Sequence, residues 1–164
     1  MLGNLVCAVN TPTPDTRKEM SQAAYLAGKA INISKTTICH AISYSLTSYF
    51  GIPHGHAVAL TLGETFLYNA AVTVSDCIDP RGVGYVQDTL EELCGIFQVS
   101  GPQEAKESLD ALMEAIHLKQ RLNDFNITHN DLHFIASKVD LERGQNNPRK
   151  AYFQSLLKIL GNIS

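Results

Sequence analysis

The sequence of 164 residues predicts an all-α fold, a bundle-like domain of six or seven helices. Apolar residues recur at three- and four-residue spacing through most of the chain, which is the period of an amphipathic helix. No stretch alternates apolar and polar residues as a half-buried strand does. Segments rich in Gly, Pro, Asn and Asp separate the helical stretches. The length is that of one domain with its own core, so residues 1–164 are expected to form a single helical domain.

The first predicted helix starts at Thr13-Pro14-Asp15. Thr is a preferred N-cap, Pro fits the first turn, and an acid is favourable near the positive end of the helix dipole. Small residues then recur on one face, so a partner helix could approach closely. That face consists of Met20, Ala23, Ala24, Ala27, Ala30 and Ile31. Residues 32–37 are polar and low in helix propensity, which predicts either a break or a cap before the helix that carries His40.

Two helices are predicted in the middle of the chain, separated by a short break. Residues 41–49 contain no breaker and predict a helix, and Gly51-Ile52-Pro53 then interrupts it. A second apolar helix is predicted from Gly55 to about Val74.

Four later segments have helical spacing, and each follows a turn or cap signal. They are residues 86–97 after the loop 75–84, residues 102–116 after Ser100 and Gly101, residues 132–139 after a capping box of Thr128 and Asp131, and residues 152–160 after the turn 145–148.

Composition narrows the class of protein. A net charge of -3 with 18% charged residues provides no basic surface, so we expect neither nucleic acid nor a membrane as partner. The first residues lack the pattern of a signal peptide, and no apolar run reaches membrane-spanning length. Four cysteines without a CxxC spacing indicate reduced thiols. A cytoplasmic protein is therefore expected.

Three of the six histidines, His40, His54 and His56, fall within one stretch, residues 28–60. On one straight helix His40 and His54 would be about 21 Å apart. If the chain folds back at the Gly51–Pro53 break, both imidazoles can reach one point. Because neutral imidazole is the commonest side-chain metal ligand, His40 and His54 are a candidate metal half-site.

Other candidate ligands are weaker. His56 would point about 200° around the helix from His54, which favours a supporting or surface role. Cys39 would point about 100° away from His40, and a core role is favoured for it. His129 and His133 have the i, i+4 spacing of a metal pair, but a solvated helix face is the better interpretation.

The stretch HAISYSLTSYFGIPHGHA resembles a signature of the iron-containing (group III) alcohol dehydrogenases. In that family a helix histidine and, fourteen residues later, the histidine of a Pro-His-Gly turn bind the catalytic metal. The resemblance implies that His40 and His54 bind a divalent metal, Fe2+ or Zn2+. Residues 27–32 and 146–149 are similar to other segments of the family, so the resemblance covers nearly the whole chain.

The residues around the histidines most resemble those of one branch of the family, the reductases of small phosphonate aldehydes such as phosphonoacetaldehyde. In such an enzyme Lys29 and Lys35 could serve an anionic substrate, although lone lysines are usually solvated.

The sequence also departs from the family pattern. Members are more than twice as long and carry an N-terminal nucleotide-binding domain, which we expect to be absent here. Their other two metal ligands are an Asp and a His one helical turn apart, but here the residue one turn after Asp15 is Glu19 and not a histidine.

Many members have a second histidine four residues after the first, near the nicotinamide and substrate, and this chain has Tyr44 there. Tyr44 is therefore a candidate substrate-proximal residue, and with a reference pKa near 10 it is a poor base.

Two functions are compatible with these features. The first is the C-terminal domain of a metal-dependent, NAD(P)-linked alcohol dehydrogenase or aldehyde reductase, in truncated or split form, contributing two metal ligands and one wall of the cleft. A full-length relative would act on a small alcohol or aldehyde. This chain has no phosphate-binding Gly-x-Gly-x-x-Gly, so we expect no cofactor-binding residues in it. Because two imidazoles leave a tetrahedral site half filled, we expect weak metal binding, and with both deficits no activity of its own. The alternative is a non-catalytic helical oligomerisation module derived from that family. We expect a homo-oligomer.

Overall fold

A computed structural model describes residues 2–142 and 144–164 of the chain. These residues form eight α-helices, with two short 3-10 helices, Leu122–Phe125 and His129–Asp131, between the sixth and the seventh. The helices are α1 Leu2–Asn10, α2 Pro14–Ser34, α3 Ile38–Phe50, α4 His54–Ala70, α5 Gly82–Phe97, α6 Pro102–Ala115, α7 Leu132–Ser137 and α8 Phe153–Asn162. No strand occurs in the described ranges, and the predicted all-α class is confirmed.

The number of helices is one above the predicted upper value, because α1 was not predicted. Leu2–Asn10 has no acidic residue in its first turn and no basic residue in its last. The sequence therefore lacks these start and stop signals for α1, which in the structure packs on α2. The predicted end of α4 near Val74 was also late, since α4 ends at Ala70. In the turn that follows, the Asp76 carboxylate accepts a hydrogen bond of 2.7 Å from the Thr73 N–H.

The predicted caps are present. Thr13 precedes α2, and its hydroxyl accepts a hydrogen bond of 3.2 Å from the Thr16 N–H. Thr128 and Asp131 form the predicted capping box, with 2.8 Å between the Thr128 N–H and the Asp131 carboxylate. This box begins a 3-10 turn that leads directly into α7.

The main core lies where α3 and α4 pack with α7 and α8. Its fully buried side chains include Ile42 and Leu46 from α3, Ile135 from α7, and Leu156 and Leu160 from α8. A smaller cluster of Phe66, Cys94 and Ala105 joins α4 to α5 and α6. The middle of the chain is therefore held from both sides.

The first two helices are packed differently. No side chain of α2 is buried, and Tyr25, Leu26 and Ile33 are exposed. Helix α1 lies against α2, and the Asn10 side chain donates a hydrogen bond of 2.8 Å to the Ala115 carbonyl. Ala23 of the predicted small face is half-buried.

None of the described helices combines the length and apolar character needed to cross a bilayer.

Candidate metal centre

The corner between α3 and α4 determines the geometry of the centre. Gly51 ends α3 in the left-handed conformation, with φ 69° and ψ 14°, which glycine adopts without steric cost. Ile52 is buried and fixes the corner to the core. Pro53 precedes His54, the first residue of α4. The chain therefore reverses within three residues, as the Gly51–Pro53 break indicated.

This reversal brings His40 and His54 together. Their ring centroids lie 5.7 Å apart, with the ring planes inclined at 58°. Two imidazoles on one tetrahedral ion with metal–nitrogen bonds of about 2.0–2.1 Å have centroids about 5 Å apart. The pair thus has nearly the spacing that a shared divalent ion requires.

The environment of His40 favours its neutral form. The ring is half-buried, and burial is the larger cause that lowers its pKa below the ordinary histidine value. The nearby His54 lowers the same pKa further, because two imidazolium charges would repel. A neutral imidazole has the lone pair that a metal needs.

Ser43 connects the two histidines. Its hydroxyl donates a hydrogen bond of 2.7 Å to the His40 carbonyl oxygen and lies 3.2 Å from Nδ1 of His54. Ser43 is fully buried. It was not among the residues predicted from the sequence. Its position three residues after His40 places it on the same side of α3 and could have indicated it.

Tyr44 lies at the same place on the surface. Its ring centroid is 5.6 Å from that of His54, and its side chain is 47% exposed. Three rings, those of His40, Tyr44 and His54, therefore form a cluster that solvent can reach.

Cys39 is buried, as expected for a core residue, and also contacts the histidine pair. Its Sγ lies 3.7 Å from Nδ1 of His40 and 3.4 Å from the Thr37 hydroxyl. Burial raises the pKa of the Cys39 thiol. Because the thiolate is the metal-binding form, this environment disfavours Cys39 as a ligand.

The other predicted histidines point elsewhere. His56 donates a hydrogen bond of 2.7 Å from Nε2 to the Lys119 carbonyl, and its ring packs against Phe125. His129 and His133 are both exposed. In the part of the chain that the structure describes, no group of three or more His, Cys, Asp or Glu side chains could hold a metal ion. His40 and His54, as candidate ligands, could fill two of the four positions of a tetrahedral site.

The two lysines considered for an anionic substrate differ in position. Lys29 lies over the exposed Tyr25 ring at 5.5 Å. Lys35 follows α2 with a φ of 63° and lines a groove of about 450 Å³. Thr37 lines the same groove, so the groove begins beside the start of α3.

The segment 146–149 is tied to α4 by a buried polar network. The side-chain amides of Asn69 and Asn147 exchange two hydrogen bonds, of 3.1 and 2.7 Å. Arg149 pairs with Asp76 at 2.7 Å and donates a hydrogen bond to the Tyr68 carbonyl. In the sequence, only a resemblance to the family marks this segment. The amide pair joins positions 78 residues apart, and no local pattern indicates it.

The profile of the Fe-containing alcohol dehydrogenase family, C-terminal, matches residues 1–163. The chain belongs to this family. The predicted resemblance is confirmed over the whole sequence, including the corner that carries both histidines.

Curated members of the Fe-containing alcohol dehydrogenase family align with most of the chain. Phosphonoacetaldehyde reductase of Streptomyces viridochromogenes is 36% identical over 155 residues, which is 94% of this chain and 38% of the reductase. The 1,3-propanediol dehydrogenase of Klebsiella pneumoniae is 26% identical over 146 residues, covering 87% of this chain and 36% of the relative. The chain thus spans well under half the length of these relatives.

A solved structure confirms the family fold. The crystal structure of a 1,3-propanediol oxidoreductase superposes with a TM-score of 0.76 at 27% sequence identity. The superposition covers 99% of this chain and 42% of that protein.

Proposed function

We propose that this chain is the C-terminal domain of a metal-dependent, NAD(P)-linked alcohol dehydrogenase or aldehyde reductase, with His40 and His54 as two ligands of an Fe2+ or Zn2+ ion. The observation that supports this most is the approach of the two imidazoles to 5.7 Å across the α3–α4 corner, in a chain that matches the family over residues 1–163.

Each residue of the cluster has a distinct part in this proposal. A bound divalent ion would polarise the oxygen of an alcohol or aldehyde. His40 is kept neutral by burial, and His54 stands exposed at the start of α4. Tyr44 is placed to donate a hydrogen bond from its hydroxyl to a substrate oxygen beside His54. Together these side chains form one wall of a cleft.

Activity is proposed to need groups beyond these 164 residues. Two imidazoles leave a tetrahedral site half filled, so the metal would be held weakly. The chain covers only 38% of the phosphonoacetaldehyde reductase, and we place the remaining ligands and the NAD(P) site in a part corresponding to the rest of that enzyme. This chain alone, in truncated or split form, is expected not to oxidise alcohols or bind NADH.

The substrate class is proposed to be small alcohols or aldehydes. The more specific candidate substrate is a phosphonate aldehyde, because the phosphonoacetaldehyde reductase is 36% identical to this chain. Lys35, at the groove beside the start of α3, is placed to attract an anionic group.

Metal titration tests the proposal. By isothermal titration calorimetry, Zn2+ should bind the chain weakly, and His40→Ala and His54→Ala should each abolish binding. His129→Ala is the matched control, since His129 is exposed and lies on a separate 3-10 helix. Equal loss in the control, or unchanged binding in His40→Ala, would count against the assignment.

A non-catalytic oligomerisation module is the second candidate. The exposed apolar side chains of α2 favour it, because such surfaces promote association. A homodimer or larger homo-oligomer is proposed under either function. Failure of the chain to bind metal at any concentration, together with a stable dimer, would favour the module.

A cytoplasmic location is proposed as well, because all four cysteines are free thiols.

A further inference from the structure

We infer that Ser43 is a positioning residue, which fixes His54 in the tautomer that has its proton on Nδ1 and its lone pair on Nε2. The tautomer follows from hydrogen-bond geometry alone. Its consequence for a metal rests on the proposed function.

The direction of two hydrogen bonds carries the inference. A serine hydroxyl has a single proton and can also accept. The His40 carbonyl oxygen can only accept, and it lies nearer to the Ser43 hydroxyl, at 2.7 Å, than Nδ1 of His54 does, at 3.2 Å. The proton of Ser43 therefore points to the carbonyl. A hydrogen bond between Oγ and Nδ1 then requires Nδ1 to be the donor.

The surroundings make this arrangement persistent. Ser43 is fully buried in α3, so water cannot replace the His40 carbonyl as the partner of its hydroxyl. His54 is exposed, and the rings of His40 and Tyr44 lie against its ring in tilted orientations. Ring contacts do not distinguish the two nitrogens of an imidazole, whereas the Ser43 hydrogen bond does.

This tautomer has the lone pair on Nε2 that a metal needs. A histidine binds a metal through its unprotonated nitrogen, and a hydrogen bond from the other nitrogen orients the ring. With Nδ1 occupied by Ser43, Nε2 of His54 is the nitrogen left to coordinate. Ser43 would perform the orienting role that a carboxylate or carbonyl has in many metal sites.

Long-range 1H–15N NMR of the metal-free chain tests the inference directly. The spectrum is recorded at about pH 8.5, well above the reference histidine pKa of about 6.5, where the two nitrogens of a neutral imidazole have distinct shifts. In the native chain, Nδ1 of His54 should have the shift of a protonated nitrogen. In Ser43→Ala the ring should revert to the Nε2–H tautomer that unconstrained histidine prefers, and Ser43→Thr should restore the native pattern.

Ser45→Ala is the matched control. Ser45 is buried two residues away on the same helix, and its hydroxyl has no hydrogen-bond partner among the described residues. This variant should leave the His54 tautomer unchanged. An Nε2–H tautomer in the native chain would overturn the inference without any variant. A retained Nδ1–H tautomer in Ser43→Ala would overturn it as well.

A zinc titration separates this inference from the proposed function. Ser43→Ala should weaken Zn2+ binding roughly 10–100-fold, as the loss of orienting partners typically does, and Ser45→Ala should not. If NMR shows the inferred tautomer but the native chain binds no Zn2+, the proposed function fails and the role of Ser43 in the tautomer stands.

Discussion

The α3–α4 corner and the α1–α2 pair are both helical hairpins, but they are packed in opposite ways. Ile42 and Leu46 of α3 are fully buried, whereas α2 has no buried side chain over its 21 residues. Both candidate ligands lie on the first hairpin. The candidate site is therefore held rigidly by the core of this domain, and α2 owes little of its position to that core.

The sequences of the two helices explain the difference. Helix α2 has the stronger start signals, with Thr13 as cap and Pro14 in its first turn, and α3 has no side-chain cap. Burial follows instead from apolar content, which is higher in α3. Caps thus specify where a helix starts, and the apolar face specifies whether it is buried.

The largest difference between the two hairpins is expected in the unfolding free energy that is lost when one side chain of each is truncated. Leu46→Ala should lower the free energy of unfolding by about 2–5 kcal/mol, because it opens a cavity in the core. Ile33→Ala on α2, where the side chain is 83% exposed, should change it by about 0.5 kcal/mol or less. Urea denaturation measures both. Similar losses would show that α2 is buried in solution.

The buried amide pair gives the next largest effect. Asn147→Ala should cost about 1–3 kcal/mol of unfolding free energy, because it leaves the buried Asn69 amide without its partner. Asn146→Ala, at the exposed neighbouring position, is the control and should have little effect. If the two variants are equally stable, the network around Asn147 does not hold the segment to α4.

Acid should weaken the same network. The Thr73 N–H, and then the Arg149 guanidinium, hold the pKa of Asp76 below its usual value of 3.8. A depressed pKa in the folded protein stabilises it above pH 3.8, and this contribution disappears as the pH falls through the lower folded value. Asp76→Asn should therefore be less stable than the native chain at neutral pH, with a difference that shrinks on acidification. A difference independent of pH would contradict the assignment.

A substitution on α2 is expected to have the smallest effect on stability and a measurable effect on association. Ile33→Ser should leave the unfolding free energy nearly unchanged, since the side chain is already exposed. It should shift the proposed homodimer towards monomer in analytical ultracentrifugation, because it removes apolar surface. Val74→Ser is the control, as Val74 is 90% exposed in the loop after α4. A native chain that stays monomeric at high concentration would refute the dimer.

The features that the sequence predicted are local. The start of α2 at Thr13-Pro14, the break at Gly51–Pro53 and the capping box at Thr128 all depend on residues within a few positions of one another. The approach of His40 and His54 could be predicted because a single turn separates their helices.

The features that were missed depend on packing. The hydrogen bond of Ser43 to His54 requires the angle between α3 and α4, which the sequence does not specify. The Asn69–Asn147 pair joins segments 78 residues apart. Helix α1 has no acidic residue in its first turn and no basic residue in its last turn that would distinguish it from a loop.

The turn at Gly51 also has a consequence for the order of folding. The Ser43–His54 hydrogen bond closes a loop of 11 residues, and the Asn69–Asn147 pair closes one of 78. Short loops lose less chain entropy on closing, and contacts close in sequence form faster. During synthesis, moreover, the corner leaves the ribosome long before Asn147 is made. The two histidines can therefore meet in a nascent chain whose C-terminal helices do not yet exist.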